Sequence, residues 1–153
     1  MGARSVVSAR GESKACFATF VELKTRFYVA IKMPDRNKNS MLEAIKQLTS
    51  NIPKEAFKTF TSDRGKEFSC WKKVEEMGID FYFADPYCSW QRGCNENSNG
   101  LLREFYPKKT DISKVETEDL LRTLMLINSR PRKCLNYATP FEKFLYEIKF
   151  EEI

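Results

Sequence analysis

The order of strand-like and helix-like segments in the sequence predicts an α/β fold, in which flanking helices cover a mixed five-stranded sheet. Three β-rich segments open the chain and are joined by short turns, which indicates an antiparallel meander. Two further strands each follow a single helical segment, and strands joined through a helix pair in parallel. Three more helices complete the predicted order, which is β-β-β-α-β-α-β-α-α-α.

The predicted meander has a short first strand at residues 6–7 and longer strands over residues 16–23 and 26–32. A tight connection at Lys24-Thr25 joins the two longer strands. Pro34 ends the third strand, because proline lacks the N–H donor that a strand interior needs. The first strand is expected to be a stub that leaves part of the sheet edge uncovered.

A capping pattern marks the first helix. Ser40 and Glu43 have the spacing of a capping box, so the helix is predicted to begin at Ser40 and to end before Pro53. A fourth strand follows at residues 57–62. A second helix then ends at Gly78, a residue type that commonly follows a helix C-terminus, and residues 79–83 form the fifth strand.

The rest of the chain is predicted to be helical. The three helices run from Arg92 or Asn95 to about Phe105, from a Thr117 cap through Ile127, and from Thr139-Pro140 onward. Glu142 completes a second capping box with Thr139, and Pro140 stands at the first helical position, where proline is favoured.

The composition limits the chemistry that the protein can perform. The 153 residues carry a net charge of +5 and include no histidine, which excludes histidine bases, histidine-activated nucleophiles and histidine-ligated zinc. Five cysteines without a C-x-x-C pair, the lack of a secretory signal and the lack of a membrane-length apolar run predict a cytoplasmic protein with reduced thiols. Catalysis therefore falls to carboxylates, lysines, tyrosines or thiols.

Asp63 is the first candidate site residue, because it directly follows the fourth strand in the segment TSDRGKEF (residues 61–68). Ligands gather at the carboxyl ends of strands in open α/β sheets, and a carboxylate there can hold Mg²⁺. The alternative is an ordinary turn in which Asp63 bonds its own backbone and Gly65 takes a positive φ. The octapeptide alone favours the turn.

Glu96 is the second candidate, within NENSNG (residues 95–100), whose asparagines and glycine are poor helix formers. One interpretation makes Glu96 a metal ligand on a helix face, with asparagine side chains that bond phosphates or bases. The other interpretation is a solvated, polar helix start, which the segment alone favours at least as strongly.

Basic residues with interleaved tyrosines and a tryptophan occupy the second half of the chain. This pattern is typical of nucleic-acid binding, in which cations contact phosphates and rings stack on bases. The alternative is a solvated basic surface with the aromatic rings in the core. The predicted DNA-binding residues, including those beside the candidate carboxylates, are Lys66, Arg92, Asn95, Asn97, Arg103, Lys108, Lys109, Arg130, Arg132 and Lys133.

Taken together, TSDRGKEF, DFYFADPY (residues 80–87) and WQRGCNEN (residues 90–97) resemble the DDE transposases of the insertion-sequence-thirty family. The similarity continues in collinear order over essentially the whole chain, through VELKTRF (residues 21–27), NGLLR (residues 99–103) and NSRPRKCL (residues 128–135). The resemblance implies a ribonuclease-H-like fold, the integrase-type catalytic core. This core is expected to span residues 1–153, with its C-terminal helices beginning at about residue 117.

The resemblance also implies an activity, which is polynucleotidyl strand transfer in DNA transposition. In this chemistry carboxylates hold two Mg²⁺ or Mn²⁺ ions about 3.5–4 Å apart. Asp63 matches the second of three family carboxylates and Glu96 the third, so both are implied to be catalytic and metal-binding. The implied partners are transposon-end and target DNA, and a second copy or an intact transposase. The implied location is the nucleoid.

Arg4 stands where the family has its first catalytic aspartate. A guanidinium there repels metal ions and can pair with Asp63 or Glu96, and neither Glu22 nor Asp35 occupies the first-strand position. The family's amino-terminal helix-turn-helix has no counterpart in the sequence, which predicts a truncated core with weakened metal binding and impaired catalysis. The alternative function is a non-catalytic DNA-binding or dimerisation module that modulates an intact transposase.

Overall fold

The computed structural model describes residues 2–7, 13–52, 59–62, 64–83 and 93–151, of which residues 2–7, 93–96 and 149–151 are described by their backbone alone. In chain order the strands and helices are β1 (Gly2–Val7), β2 (Cys16–Val21), β3 (Tyr28–Met33), α1 (Lys38–Asn51), β4 (Thr59–Ser62), α2 (Trp71–Glu76), β5 (Asp80–Phe83), α3 (Gly93–Phe105), α4 (Thr117–Asn128) and α5 (Pro140–Glu151). This order confirms the predicted one. A 3₁₀ segment, Lys66–Cys70, leads directly into α2.

The sheet in the described part of the chain is mixed, with the strand order β3-β2-β1-β4-β5. The pairs β1–β2 and β2–β3 are antiparallel, whereas β1–β4 and β4–β5 are parallel. The topology therefore matches the predicted meander plus two crossover strands. β1 is longer than the predicted stub at residues 6–7, because its whole length, from Gly2 to Val7, pairs with β2. Its first residues have weak strand propensity, and pairing partners in the sheet override such local preferences.

The helices cover both faces of the sheet, and β2 separates the two hydrophobic clusters. Cys16, Ala18 and Phe20 of β2 belong to a cluster that includes α1, α2 and the 3₁₀ segment Lys66–Cys70. Phe17 and Val21 belong to the cluster on the opposite face, formed with α3 and α4. Every residue of β2 is buried, which is the burial expected of an inner strand covered on both faces.

The predicted cap of α1, Ser40, is wrong by three residues. The helix begins at Lys38, and Asn37 is its N-cap, because the Asn37 side chain accepts a hydrogen bond from the N–H of Ser40 at 2.9 Å. The Ser40 hydroxyl donates instead to Asp35 Oδ1 at 2.7 Å, so it does not cap the helix. Asn37, four residues before the first apolar position of the helix, Met41, was therefore the stronger signal.

The other predicted helix ends agree more closely with the structure. α5 begins at Pro140, and the N–H of Glu142 donates to Thr139 Oγ1 at 3.1 Å, as the predicted capping box requires. α4 begins at Thr117, one residue earlier than predicted, since Glu116 occupies the cap position. Gly78, which follows the C-cap of α2, has a φ of 88°, a conformation that favours glycine.

Glu22 organises the turn between β2 and β3. Its carboxylate accepts the N–H of Lys24 at 3.1 Å and the N–H and hydroxyl of Thr25, both at 2.6 Å. Backbone bonds from Glu22 to Phe27 and from Arg26 to Glu22 close the turn. β2 therefore ends two residues before its predicted end and β3 begins two residues after its predicted start, because residues 22–27 all belong to this turn. At its other end β3 extends one residue beyond its predicted limit, to Met33.

The outer edge of β3 is covered at its first residue by Asn128 at the end of α4. The Asn128 side chain accepts the N–H of Tyr28 at 2.9 Å and donates to the Tyr28 carbonyl at 2.8 Å. Asn128 is 4% exposed, so water cannot replace these bonds. The amide thus takes the place that a neighbouring strand would occupy at this position.

We expect Asn128→Ala to lower the free energy of unfolding by about 2–4 kcal/mol, because it leaves a buried donor and a buried acceptor of Tyr28 unpaired. Urea unfolding followed by circular dichroism measures the change. Asn51→Ala is the control, since the exposed Asn51 side chain bonds only the Gln47 carbonyl and its loss should cost less than about 0.5 kcal/mol. Equal losses for the two variants would contradict the assigned role of Asn128.

Candidate active site

The register between β1 and β4 shows which residue of β1 lies beside the end of β4, where the candidate site is expected. Ser62, the last residue of β4, pairs with Ala3 of β1. The next residue on β1 is Arg4, which lies opposite Thr19 of β2. Asp63, which follows Ser62 in the sequence, lies outside the described residues. Position 4 therefore lies at the level of the sheet where β4 ends.

The direction of α3 across the sheet follows from two contacts. Near its C-terminus, the Tyr106 ring packs against Phe17, with centroids 5.6 Å apart. Near its middle, Asn99 Oδ1 accepts a hydrogen bond from the Tyr28 hydroxyl at 2.6 Å. Phe17 pairs with Val6, near the end of β1. Tyr28 pairs with Val21 of β2, which in turn pairs with Gly2 at the start of β1. α3 therefore runs from the level where β1 begins towards the level where it ends.

Glu96 lies in the first half of α3, as the sequence predicts, and its side chain belongs to the part of the chain described by backbone alone. It precedes Asn99 by one helical turn, a rise of about 4.5 Å. The first half of α3 thus lies beside the end of the sheet at which β1 begins and β4 ends.

The far end of α3 is fixed to α4. The Tyr106 hydroxyl donates to the Asp119 carboxylate and lies 3.2 Å from Thr123 Oγ1. Burial raises the pKa of Tyr106, and the bond to Asp119 raises it further, so the phenol stays protonated. Burial likewise raises the pKa of Tyr28 far above its ordinary value, which keeps its hydroxyl a donor to Asn99.

The predicted DNA-binding residues divide into two groups by exposure. The side chains of Lys66, Asn97, Lys108, Lys109 and Lys133 are exposed to solvent. Arg103, Arg130 and Arg132 are half-buried. Arg92 lies outside the described residues, and the side chain of Asn95 lies outside the described part of α3.

Two of the half-buried arginines have partners within the protein. Arg130 forms an ion pair with Glu104 at 3.2 Å and lies over the Phe105 ring, 5.8 Å from its centroid. Arg103 lies 3.4 Å from the Pro107 carbonyl oxygen, and burial lowers its pKa. Both arginines therefore have a structural role. The sequence alone does not distinguish a basic residue with such contacts from one that binds DNA.

Lys66 lies on a cavity that sequence reasoning did not detect. The cavity has a volume of about 480 Å³ and lies beside the N-cap of α1. Its charged lining consists of Lys14, Asp35, Arg36 and Lys66. These residues come from three separate parts of the chain, so no local motif could have indicated their proximity.

Glu67 is a buried acid that the sequence analysis assigned no role. Its carboxylate, 1% exposed, accepts a hydrogen bond from Arg36 Nε at 3.0 Å. Together with burial, the charge of Glu67 raises the pKa of the Cys16 thiol to about 11. Gly65, beside Glu67, has a φ of −61° rather than the positive φ that the turn alternative for Asp63 predicted.

Comparison with known proteins identifies the family. A family model described as the integrase core domain matches residues 5–89. The chain belongs to the integrase core domain family. The predicted resemblance to insertion-sequence-thirty transposases is confirmed by relatives that carry that description.

The transposase InsI of insertion sequence element IS30A from Escherichia coli K12 is 35% identical over 133 residues, which cover 86% of this chain and 35% of that protein. The transposase of element IS4351 from Bacteroides fragilis is 47% identical over 87 residues, which cover 56% of this chain and 27% of that protein. The chain thus spans only about a third of the length of these relatives.

Solved structures confirm the ribonuclease-H-like fold. The catalytic core domain of BIV integrase matches with a TM-score of 0.73 at 18% identity and covers 99% of this chain and 97% of that one. A chain of the simian T-cell lymphotropic virus intasome, solved with the PP2A regulatory subunit B56 gamma, matches with a TM-score of 0.70 at 17% identity, over 92% of this chain and 52% of that one. Among the described residues of this integrase core, no helix is long and apolar enough to cross a membrane.

The residues at the three candidate positions of this integrase core decide whether they can supply ligands to a divalent ion. Positions 63 and 96 carry carboxylates, the hard oxygen ligands that Mg²⁺ prefers, and position 4 carries a guanidinium, which supplies none. In the described part of the chain no three His, Cys, Asp or Glu side chains form a metal-binding group. Asp63 and the side chain of Glu96 lie outside the residues to which this finding applies.

We expect Tyr28→Phe to cost about 1 kcal/mol of stability, because it removes the hydroxyl that holds the middle of α3. Amide hydrogen exchange should become faster in residues 93–99, measured by mass spectrometry. Tyr137→Phe is the matched control, since the Tyr137 side chain is 70% exposed and its hydroxyl faces solvent. Unchanged exchange over residues 93–99 in Tyr28→Phe would mean that another contact sets the position of α3.

Proposed function

We propose that the chain is a transposase catalytic core that acts on DNA by polynucleotidyl strand transfer, with Asp63 and Glu96 as its metal-binding carboxylates. The observation that carries the proposal is the convergence of three backbone positions. β4 ends at Ser62, level with Ala3 of β1, and the first half of α3 lies beside the same end of the sheet. The backbone at this end of the sheet supports the proposal that Asp63 and Glu96 act together.

The residues at these positions have distinct roles in the proposed reaction. Mg²⁺ or Mn²⁺, when bound, supplies activation of the attacking water or DNA 3′-hydroxyl and stabilisation of the leaving oxygen. Asp63 and Glu96 contribute the oxygen ligands and the negative charge that retain the cation. Exposed lysines at positions 66, 108 and 109 contact DNA phosphates and hold the DNA on the protein.

Arg4 makes this core a weak catalyst. In the proposed site a guanidinium takes the place of the third carboxylate, so it opposes a cation through Coulomb repulsion and competes for the same oxygens. Metal positioning supplies much of the rate in phosphoryl transfer, so the loss of one ligand impairs both binding and turnover.

We expect Arg4→Asp to restore Mn²⁺-dependent nicking of supercoiled plasmid, whereas the chain as it stands does not nick. The added carboxylate supplies the third ligand and removes the competing cation. Binding of Mn²⁺ by the Arg4→Asp variant is measured from the decrease of the free-ion electron paramagnetic resonance signal. This readout does not depend on turnover. Glu96→Gln in the same background should abolish both.

Two outcomes would contradict parts of this proposal. If the unmodified chain nicks DNA and Glu96→Gln stops it, another residue supplies the third ligand and the assigned effect of Arg4 is wrong. If Arg4→Asp neither binds Mn²⁺ nor nicks, the assignment of Asp63 and Glu96 as metal ligands is wrong.

DNA binding should depend on salt through the exposed lysines. We expect the double variant Lys108→Gln/Lys109→Gln to reduce the slope of log K against log salt by about 2, since each phosphate contact contributes about 0.9. Fluorescence anisotropy with a transposon-end duplex measures the slope. Lys46→Gln/Lys72→Gln removes the same charge from α1 and α2 and should leave the slope closer to its original value. Equal reductions would mean that net charge alone controls binding.

A further inference from the structure

Glu67 is an unusual residue for its surroundings. Its side chain is 1% exposed and its neighbours Phe68 and Cys70 belong to the hydrophobic cluster between the sheet and α1. A buried carboxylate loses several kcal/mol of hydration, and a well-packed apolar residue in its place is often neutral or stabilising. Stability alone therefore does not account for a glutamate at this position.

The partner of Glu67 comes from a different part of the chain. Arg36 lies in the connection between β3 and α1, and its Nε donates to Glu67 Oε1 at 3.0 Å. The residues on either side are themselves held to α1, because Asn37 caps the helix and Asp35 accepts the Ser40 hydroxyl. The ion pair therefore ties the segment after β4 to a connection that α1 already holds.

Gly65 shows how closely the carboxylate approaches the backbone. A Cβ atom at Gly65 would lie 2.5 Å from Glu67 Oε2 and 2.8 Å from Glu67 Cδ. Because the φ of Gly65 is −61°, glycine is not required here for its backbone conformation. It is required for the close approach of the Glu67 side chain. The Gly65 carbonyl also accepts the N–H of Phe68 at 3.0 Å, which closes the turn.

We propose that Glu67, held by Arg36, is a positioning residue that fixes the backbone at Gly65 and so sets the position of Asp63, two residues earlier. The inference rests on the proposed function for the role of Asp63. Groups that orient a metal ligand from behind are needed for tight binding, and an ion pair fixes an orientation that apolar packing alone leaves free.

The test uses the Arg4→Asp chain and two readouts, hydrogen exchange over residues 59–70 and Mn²⁺ affinity. We expect Glu67→Gln to raise exchange in this segment and to weaken Mn²⁺ binding about tenfold or more. Arg36→Lys keeps the charge opposite Glu67 and should retain most of the protection of the unmodified segment. Glu147→Gln, which removes the acid of the ion pair with Lys24, is the matched control and should change neither readout.

A second set of variants covers the case in which Glu67→Gln fails to fold. Gly65→Ala keeps both charges and should raise exchange in the same segment, because its Cβ displaces the carboxylate. Combined with Glu67→Ala, which makes room for that Cβ, its effect should be less than additive. Gly100→Ala is the control, since an added Cβ there meets no atom within 4 Å.

The two proposals fail in different ways. Folded Glu67→Gln and Gly65→Ala variants with unchanged exchange over residues 59–70 would overturn the positioning role, whatever the metal affinity. Faster exchange with unchanged Mn²⁺ affinity would also overturn it, since the segment would then be loosened without consequence for Asp63. Absence of Mn²⁺ binding by the Arg4→Asp chain itself would overturn the proposed function, while the exchange experiment would still decide whether Glu67 fixes the segment.

Discussion

The parallel pairing of β1 with β4 is the constraint on which the rest of the molecule depends. β1 joins an antiparallel meander on one side to the crossover strands on the other, so its register connects the two halves of the sheet. A slip of one residue would turn every β1 side chain to the opposite face. It would also separate position 4 from the level at which β4 ends. The candidate site therefore has its geometry from backbone pairing, and α3 then brings Glu96 to a place that the strands have already defined.

Element order and topology were predictable because they follow from local signals. Apolar periodicity, turn residues and the single helices between the later strands suffice for a mixed sheet. Helix starts were less predictable, since the choice of Asn37 over Ser40 depends on Asp35, which takes the Ser40 hydroxyl. Asp63 and Glu96 became strong candidates only through the resemblance to a family, since the segment around Asp63 alone favoured an ordinary turn and the segment around Glu96 a solvated helix start. The pairing of Arg36 with Glu67 was not predictable, because it joins residues 31 positions apart that share no motif.

The acids of this chain have different functions according to their surroundings. Glu22 is bonded to the backbone of its own turn, and Glu67 is buried against an arginine. Both carboxylates are held by partners within the protein. Asp63, by contrast, follows the last residue of β4 in the sequence, and Glu96 belongs to the first half of α3; ligands commonly bind at the carboxyl ends of strands in such folds. The sequence position of an acid indicates its chemistry only after its hydrogen-bond partners are known.

The bond between Asn128 and Tyr28 has a consequence for self-association. An unpaired outer strand offers its peptide groups to any extended segment from another molecule, and repeated addition of this kind produces fibrils. A single amide that occupies both groups of the first β3 residue removes the place where such addition would begin. The last residue of α4 thus opposes lateral extension of the sheet by another molecule at the start of β3.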